Sequence, residues 1–416
     1  MIRIHPFAAL RPPSQFAAEV ASDPYDVIST EEARERAAGK PRSFLHVVRS
    51  EIDLPAETDC HAAEVYTKAR DNLQAMIAAG TLVRDPHPAV YLYRQIREGQ
   101  AQLGLVCCVE AEQYRSGEIR KHEKTRPDKE DDRTRHLLVT ACHAEPVFLC
   151  FRDLAGGALA ARMAADASGE AAFDFVAPDG VQHTGWTVTD PRPYVEAFKN
   201  LDLLYIADGH HRSAGAERAA AASQAHHPSH SGSEEYGRFL AVVFPHDQLR
   251  ILPYNRVVKD LQGLSIAEFL DRLRSVGEVA PAAAGTPPRR GQVFVFVGGS
   301  WWSLTFPEAS IDRRDPIASL DVSLLQDRVL APILGIGDPR TDQRIEFVGG
   351  IRGCEELERR AGEGGVAFSM HPTSPDELLA VADAGEIMPP KSTWFEPKLR
   401  SGLFVHEFER IAGAEA

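Results

Sequence analysis

A short segment near the middle of the chain combines residue types that can bind phosphate and move protons. Its members are Asp208, Gly209, His210, His211 and Arg212. An apolar run before them predicts a buried strand, and the residues after them predict a helix over about 211–222. The segment should therefore lie where a strand turns into a helix N-terminus, whose backbone N–H groups carry partial positive charge and bind anions.

Each residue of this turn has a possible chemical role. Gly209 allows a phosphate to approach the backbone closely, and Arg212 can contact two phosphate oxygens. His210 or His211 can donate or relay a proton, and Asp208 can hold a metal ion or orient a histidine. In the alternative interpretation, Asp208 only caps the helix and the histidines decorate a surface turn. Two adjacent histidines followed by arginine bring no obvious packing gain, so we favour a functional site.

A second candidate lies in the densely charged stretch 120–133. His122 beside Glu123 supplies an acid and base pair, and Thr125 and Arg126 close behind can contact phosphate. A solvated charge run is the competing interpretation, and from composition alone it is the better supported of the two.

A third candidate is the segment 388–398 near the C-terminus. Lys391, Ser392 and Thr393 lie between prolines and aromatic residues, a composition that suits a rigid anion-binding loop. The alternative is an aromatic-anchored tail packed on the core. Asn255 and Arg256, directly after a predicted strand, can line a cleft, although turns contain such residues anyway.

Other patterns narrow the choice of chemistry. The Ser/Gly-rich loop 223–235 contains His226, His227 and His230, and its composition favours disorder over metal binding. The sequence contains no GxxxxGK[ST], GxSxG or HExxH motif, and no GxGxxG after a strand. The common NTPase, hydrolase, zincin and dinucleotide-binding classes are therefore disfavoured.

The elements that must position these residues alternate between strand and helix patterns. Strands are predicted over 44–48, 90–93, 103–109, 146–151, 173–188, 201–207 and 239–244, and helices over 30–38, 62–79, 156–172, 266–276 and 322–334. This mixture predicts an α/β fold of the mixed α+β kind, with mixed sheets and at least one further domain beside the phosphate site. For 416 residues we expect N-terminal, central and C-terminal domains over 1–150, 151–280 and 281–416, with the Pro/Gly-rich linker 280–291 as the clearest boundary.

Global composition bears on partners and location. A formal net charge of −14 argues against a duplex nucleic-acid binder, which needs a basic face. The six cysteines contain no CxxC pair, and buried, reduced thiols in the cytoplasm fit them best. The N-terminus lacks a secretion signal, and no apolar run reaches the length of about 20 residues that spans a bilayer. We therefore expect a cytoplasmic enzyme that does not bind membranes or nucleic acid; a homo-oligomer is compatible with these features.

With these motifs in view, the chain resembles the domain-of-unknown-function family 1015, a set of bacterial proteins. The residues that carry the resemblance lie at 5–7, 24–29, 44–47, 121–123, 207–212, 252–256 and 390–395. They span nearly the whole chain. Membership in this family implies no function.

A more distant resemblance concerns the turn alone. The strand, the Asp-Gly-His-His-Arg turn and the following helix are similar to the ParB/sulfiredoxin-like fold, in which such a turn binds nucleotide phosphates. Some free-serine kinases of this type carry an Asp-Gly-His-x-Arg version. This similarity implies that Gly209, His210 and Arg212 hold phosphate, that Asp208 holds Mg²⁺, and that ATP or ADP is a co-substrate.

Three functions remain open at this point. The first is a phosphotransferase acting between a nucleotide and a small, serine-like hydroxylated metabolite, with Glu123 or His122 taking the hydroxyl proton. The second is a hydrolase of a phosphate ester or amide-like bond that uses His210 or His211. The third is a nucleotide-binding switch without turnover. The expected partner is a small phosphorylated ligand.

Overall fold

A computed structural model describes residues 1–153 and 157–414. The described chain has a mixed α/β fold, which confirms the predicted fold class. Contacts divide it into two units, the first comprising Met1–Leu249 with Pro397–Ala416 and the second Arg250–Glu396. The first unit is discontinuous in sequence, because its last segment follows the second unit in the chain. The domain ranges 1–150, 151–280 and 281–416 stay a prediction.

The strands are short in the connecting regions and longest in the centres of the two main sheets. In the first unit they are β1 (Ile4–His5), β2 (Leu10–Arg11), β3 (Val83–Arg84), β4 (Val90–Arg97), β5 (Gln100–Glu110), β6 (Ile119–Arg120), β7 (Cys142–His143), β8 (Val147–Phe151), β9 (Phe173–Val176), β10 (Gln182–Val188), β11 (Leu204–Asp208) and β12 (Arg238–Pro245). In the second unit they are β13 (Ile251–Leu252), β14 (Tyr254–Val258), β15 (Glu278–Pro281), β16 (Gln292–Val297), β17 (Ser300–Thr305), β18 (Ile345–Gly349), β19 (Val366–Met370) and β20 (Trp394–Phe395). The first unit ends with β21 (His406–Glu407).

The helices follow the same division. In the first unit they are α1 (Ala17–Val20), α2 (Thr30–Ala37), α3 (Leu45–Val48), α4 (Ala63–Ala78), α5 (Ala111–Arg115), α6 (Pro127–Thr140), α7 (Ala158–Asp166), α8 (Arg192–Phe198) and α9 (His210–His226). In the second unit they are α10 (Ile266–Arg274), α11 (Asp321–Leu325), α12 (Gly353–Ala361) and α13 (Pro375–Asp383). None of the described helices is both long and apolar enough to cross a membrane.

The main sheet of the first unit has nine strands in the order β6-β11-β8-β12-β5-β4-β10-β9, with β1 also paired to β5. β6 and β11 pair in parallel, as do β8 and β12, whereas β8 and β11 are antiparallel. Every residue of β8 is buried, as expected for a strand covered on both faces. The sheet thus has a protected centre and an edge, at the end of β11, where polar residues gather.

The second unit is built on a separate six-stranded sheet. Its strand order is β15-β17-β16-β19-β14-β18, and the described pairs within it are antiparallel. The predicted linker 280–291 runs from the end of β15 to the residue before β16, and both strands pair with β17. It therefore lies inside the second unit and does not separate the two units.

Several predicted elements are confirmed. Predicted helices 30–38 and 62–79 correspond to α2 and α4, and Ser29 and Glu32 form a capping box at the start of α2. The β4–β5 hairpin has Gly99 in its turn, with φ of +78°. The predicted helix 156–172 is α7 in part, and Gly156 lies outside the described residues.

Other predictions are wrong. Residues 44–48 were expected to form a strand, but Leu45–Val48 form helix α3, because Leu45, Val47 and Val48 are all buried in one apolar cluster. The helix predicted over 322–334 is shorter, since α11 gives way to a π-helical segment at Gln326–Leu330. Cys60 is exposed, so the thiols are not uniformly buried as expected; all six are free.

Candidate functional site

Two parallel strand ends bring distant segments to one place. Leu204 and Tyr205 of β11 pair with Ile119 and Arg120 of β6. Because parallel strands end at the same edge of a sheet, the residues after β6 and those after β11 leave the sheet side by side. The structure thereby brings together seven residues, which we call the turn cluster: His122, Glu123, Asp208, Gly209, His210, His211 and Arg212.

Gly209 makes the sharp turn from strand to helix. It has φ of +93° and ψ of 33°, a left-handed conformation that favours glycine. A Cβ atom at this position would stand 2.9 Å from Arg212 Nε, so the side chain of Arg212 folds back over the glycine. Helix α9 begins at His210 without a side-chain cap. No side chain therefore caps its first N–H groups, and the predicted anion-binding role of this turn stays a prediction.

Asp208 is held between two cations. Its Oδ2 accepts from Arg212 Nη2 at 2.9 Å, and its Oδ1 lies 3.4 Å from Lys398 Nζ. Burial would raise the pKa of Asp208, but Lys398 and Arg212 outweigh burial and hold it well below its usual range. Both oxygens of this carboxylate thus already bind positive charge, which makes Asp208 a poor ligand for a metal ion in this arrangement.

Arg212 is a buried side chain that bonds to the surrounding fold. Its side chain is 7% exposed, and Nη1 donates to the backbone carbonyl of Pro146. Burial opposes its charge, but the carboxylates of Asp26, Asp208 and Glu145 outweigh burial and raise its pKa. With both terminal nitrogens engaged, the predicted bidentate phosphate contact requires exchange of one of these partners.

His122 and His210 form the buried centre of the turn cluster. Their rings meet edge to face, with centroids 4.4 Å apart, and the His122 backbone N–H donates to His210 Nε2 at 3.4 Å. Neither ring nitrogen of His122 has a hydrogen-bond partner among the described residues. Burial, and for His122 also the neighbouring His210, lowers each pKa to about 3. Both rings are therefore neutral near pH 7.

Glu123 and His211 lie nearer to solvent, and both are half-buried. Within the described chain, Glu123 makes no hydrogen bond or ion pair, so its carboxylate can accept a proton or bind a ligand. His211 Nε2 accepts from the backbone N–H of Arg126 at 3.1 Å, and burial lowers the pKa of His211. His211 therefore joins the start of α6 to the start of α9.

The remaining candidates belong to the second unit. Arg256 donates to the carbonyls of Tyr254 and Lys391, and burial lowers its pKa to about 10. Asn255 Oδ1 accepts from Met370 N at 3.0 Å, and Ser392 Oγ donates to Pro389 O at 2.7 Å.

The backbone of the predicted anion-binding loop is tightly held within this unit. Lys391 has φ of +57°, its Nζ lies 5.6 Å from the centre of the Tyr254 ring, and Thr393 is half-buried. The phosphate-binding roles of Lys391, Ser392, Thr393, Asn255 and Arg256 stay predictions.

Sequence reasoning missed two charged residues beside the turn cluster. Lys398 lies in the same predicted loop as Lys391, yet Lys398 is the lysine that reaches Asp208. Asp26 is exposed, and its carboxylate helps to raise the pKa of Arg212. In the sequence, the residues around Asp26 contributed only to the family resemblance. Neither residue stands in a motif with a recognisable spacing, so no local signal identifies it.

Comparison with family models gives one match. The model described as "Protein of unknown function (DUF1015)" matches residues 4–323. The matched range contains every member of the turn cluster, and Lys398 lies beyond its end. A search of curated proteins finds no match.

Three solved structures show distant likeness. A mutant free serine kinase in complex with ADP is 14% identical, with 73% of this chain and 92% of that chain covered and a TM-score of 0.36. SbnI with a C-terminal truncation from Staphylococcus aureus is 12% identical, with 72% and 87% covered and a TM-score of 0.37. A conserved hypothetical protein from Pyrococcus furiosus is 14% identical, with 72% and 95% covered and a TM-score of 0.34. Likenesses at this level carry no argument about the reaction.

Proposed function

The chain belongs to the DUF1015 family, and from its turn cluster we propose a phosphotransferase that acts between a nucleotide and a small hydroxylated, serine-like metabolite. One observation carries the proposal. The uncapped first turn of α9 stands beside Lys398 and Arg212, while Glu123, in the same cluster, is a carboxylate without a partner. An anion site and a proton acceptor thus lie side by side.

The chemistry needs little more than these groups. Phosphoryl transfer depends mainly on positioning the phosphate and neutralising its charge. The N–H groups of His210 and His211 would bind the phosphate, and Lys398 would offset its charge. Glu123 would take the proton of the attacking hydroxyl as the new P–O bond forms and the nucleotide leaves with the electrons of the broken P–O bond.

A magnesium ion fits this cluster poorly. Mg²⁺ prefers oxygen ligands in an octahedral arrangement, and Asp208 was the predicted ligand. Its two oxygens bind Arg212 and Lys398 instead. We therefore assign no step of the reaction to an ion at Asp208.

The hydrolase alternative is supported by a different observation. His210 is buried and neutral near pH 7, because burial lowers its pKa to about 3. A neutral imidazole has a lone pair and can act as a nucleophile or base. Under this alternative, rapid quenching of a reaction would trap a phosphohistidine, which direct transfer to a hydroxyl never forms.

A thermal-shift screen tests the anion site. The wild-type protein, Lys398→Gln and Arg212→Ala are heated with nucleotides and phosphorylated metabolites, with and without Mg²⁺. A true ligand raises the Tm of the wild type by an amount that grows as RT ln(1 + [L]/Kd). Lys398→Gln should weaken that ligand about tenfold, since it loses one charge-assisted contact. If no phosphorylated compound shifts the wild type, the proposal is wrong.

Two further variants complete this design. Arg212→Ala should also lower the baseline Tm, because it leaves Asp208 without one of its cations. Arg192→Ala is the matched control, since Arg192 is exposed and pairs with exposed Asp190; its ligand response should equal that of the wild type. Glu123→Gln should keep nucleotide binding and lose turnover.

A further inference from the structure

We propose that His122, Glu123 and His210 form a binding site for a divalent transition-metal ion of the zinc class. One potential ligand atom from each residue lies within 4.8 Å of the other two. The three residues come from two segments that are 87 positions apart or more in the chain, at the ends of the parallel strands β6 and β11. Their convergence is thus a product of the fold and not of sequence proximity.

The state of His122 is the strongest support for this site. The residue is 2% exposed, and both of its ring nitrogens are buried without a hydrogen-bond partner among the described residues. Each such orphaned polar atom costs about 1–3 kcal/mol, so its presence in a native fold requires an explanation. A bound metal ion supplies one, because it takes up the lone pair of the ring.

Other buried histidines of the first unit provide the contrast. His136 Nε2 lies 3.1 Å from the carbonyl of Val47, and His406 Nε2 lies 2.8 Å from Glu235. His183 Nδ1 accepts from the hydroxyl of Tyr93 at 2.6 Å. Within the part of the chain that the structure describes, His122 alone has both ring nitrogens buried and unpartnered. The anomaly is therefore specific to the proposed site.

The donor set selects the class of ion. Imidazole nitrogens suit zinc and its neighbours, whereas Mg²⁺ and Ca²⁺ prefer ligand sets made of oxygen. Two histidines and one glutamate leave a fourth position open for water or substrate, which is the pattern of catalytic zinc sites. An interaction with the Ile206 carbonyl acts to raise the pKa of His122, and backbone carbonyls of this kind orient ligand histidines in metal sites.

Only a small closure is needed to complete the site. Ligand atoms about 2.0–2.1 Å from a tetrahedral ion stand roughly 3.4 Å apart, so a set whose atoms lie within 4.8 Å of one another must contract by up to about 1.4 Å. Residues 121–126 form neither helix nor strand, and Glu123 on this segment has no partner to give up. Glu123 can therefore move toward the two rings at little cost.

The site does not depend on the proposed phosphoryl transfer, because it rests on donor chemistry and on the unpartnered histidine. Full-length protein stripped with a chelator is titrated with ZnCl₂ by calorimetry and with CoCl₂ by visible absorption. We expect one tight site and a Co²⁺ spectrum of low coordination number. His122→Ala should weaken the ion on the order of 100-fold.

Two further variants separate loss of the metal site from loss of folding. His87→Ala removes an exposed histidine that lies outside the turn cluster, so it should bind Co²⁺ like the wild type. Glu123→Gln changes a half-buried side chain without partners, so it should fold normally and still lose most of its Co²⁺ affinity. Equal Co²⁺ binding by the wild type, His122→Ala and Glu123→Gln would overturn the inference, as would no binding by the wild type.

The two proposals fail in different ways. If nucleotides raise the Tm of the stripped protein but neither metal binds, the metal site is wrong and the phosphate site stands. If Co²⁺ binds and depends on His122 while no phosphorylated compound shifts the Tm, the metal site stands and the phosphotransferase is wrong.

Discussion

Two clusters of histidines and charged side chains in the first unit differ in how their carboxylates and imidazole rings are paired. We call the second one the tether cluster, and its members are His5, Glu110, Glu235, Arg238 and His406. His5 Nε2 lies 3.0 Å from Glu110 Oε1, and His406 Nε2 lies 2.8 Å from Glu235 Oε2. Arg238 Nη1 donates to the other oxygen of Glu235 at 2.6 Å. Both carboxylates of this cluster therefore have side-chain partners, whereas His406 Nδ1 is buried without one.

The turn cluster is arranged differently. Asp208 and Arg212 are paired, but His122 and Glu123 have no such partners among the described residues. A bonded carboxylate is held in one conformation, whereas a ring with both nitrogens buried and unpartnered costs free energy that a bound ligand can offset. Histidine content therefore does not separate the two clusters, whereas a ring with both nitrogens buried and unpartnered does.

The largest expected effect is at the turn itself. Gly209→Ala imposes a left-handed φ on alanine and places Cβ 2.9 Å from the buried Arg212 side chain. We expect unfolding free energy to fall by about 4 kcal/mol, measured by urea denaturation. Gly80→Ala is the control, since Gly80 also has positive φ but nothing within 4 Å of the added Cβ; it should lose about 1 kcal/mol. Equal losses would mean that the Arg212 contact is unimportant.

The second prediction concerns pH and uses His136 as a fully packed reference histidine. Burial, with help from Arg133, lowers its pKa to about 4 from the usual 6.5. Between those two values the unfolded chain binds a proton that the folded chain does not, so stability falls as the pH drops from 6.5 to 4. We expect this residue to contribute about 3 kcal/mol to the fall. His136→Gln should flatten the stability profile in this window, and an unchanged slope would contradict the assignment.

The smallest effect compares one histidine from each cluster. His406 and His122 are 3% and 2% exposed, so replacing either with alanine removes a buried ring of the same size. His406→Ala also breaks the bond to Glu235, whereas His122→Ala in metal-free protein removes two orphaned atoms. His406→Ala should therefore cost about 2 kcal/mol more, measured by calorimetric unfolding. Equal costs would show that the two clusters are energetically alike.

Part of this molecule could be predicted from local sequence. The strand, glycine and helix around Asp208 were identifiable because an apolar run, a turn residue and a helix pattern follow one another directly. The nearness of His122 was not, since it depends on β6, a two-residue strand inside a charged stretch. Two residues carry too short a pattern to indicate a strand, and their pairing is set by the rest of the sheet.

The segment 388–398 illustrates a second limit. Its composition predicted an anion-binding loop and drew attention to Lys391. The division between the two units falls at Glu396 and Pro397, so Lys391 and Lys398 belong to different units. Nothing in the spacing of the two lysines marks that division. Local sequence composition identifies a loop, but the tertiary fold determines that Lys398 is the lysine that lies beside Asp208.

The discontinuity of the first unit has a consequence for synthesis on the ribosome. Residues 250–396 emerge before Pro397–Ala416, so the second unit can fold while the first still lacks its final segment. During that interval Asp208 has Arg212 but not Lys398, and β7 lacks its partner β21. The charge balance at the turn is thus completed only after Lys398 has been synthesised.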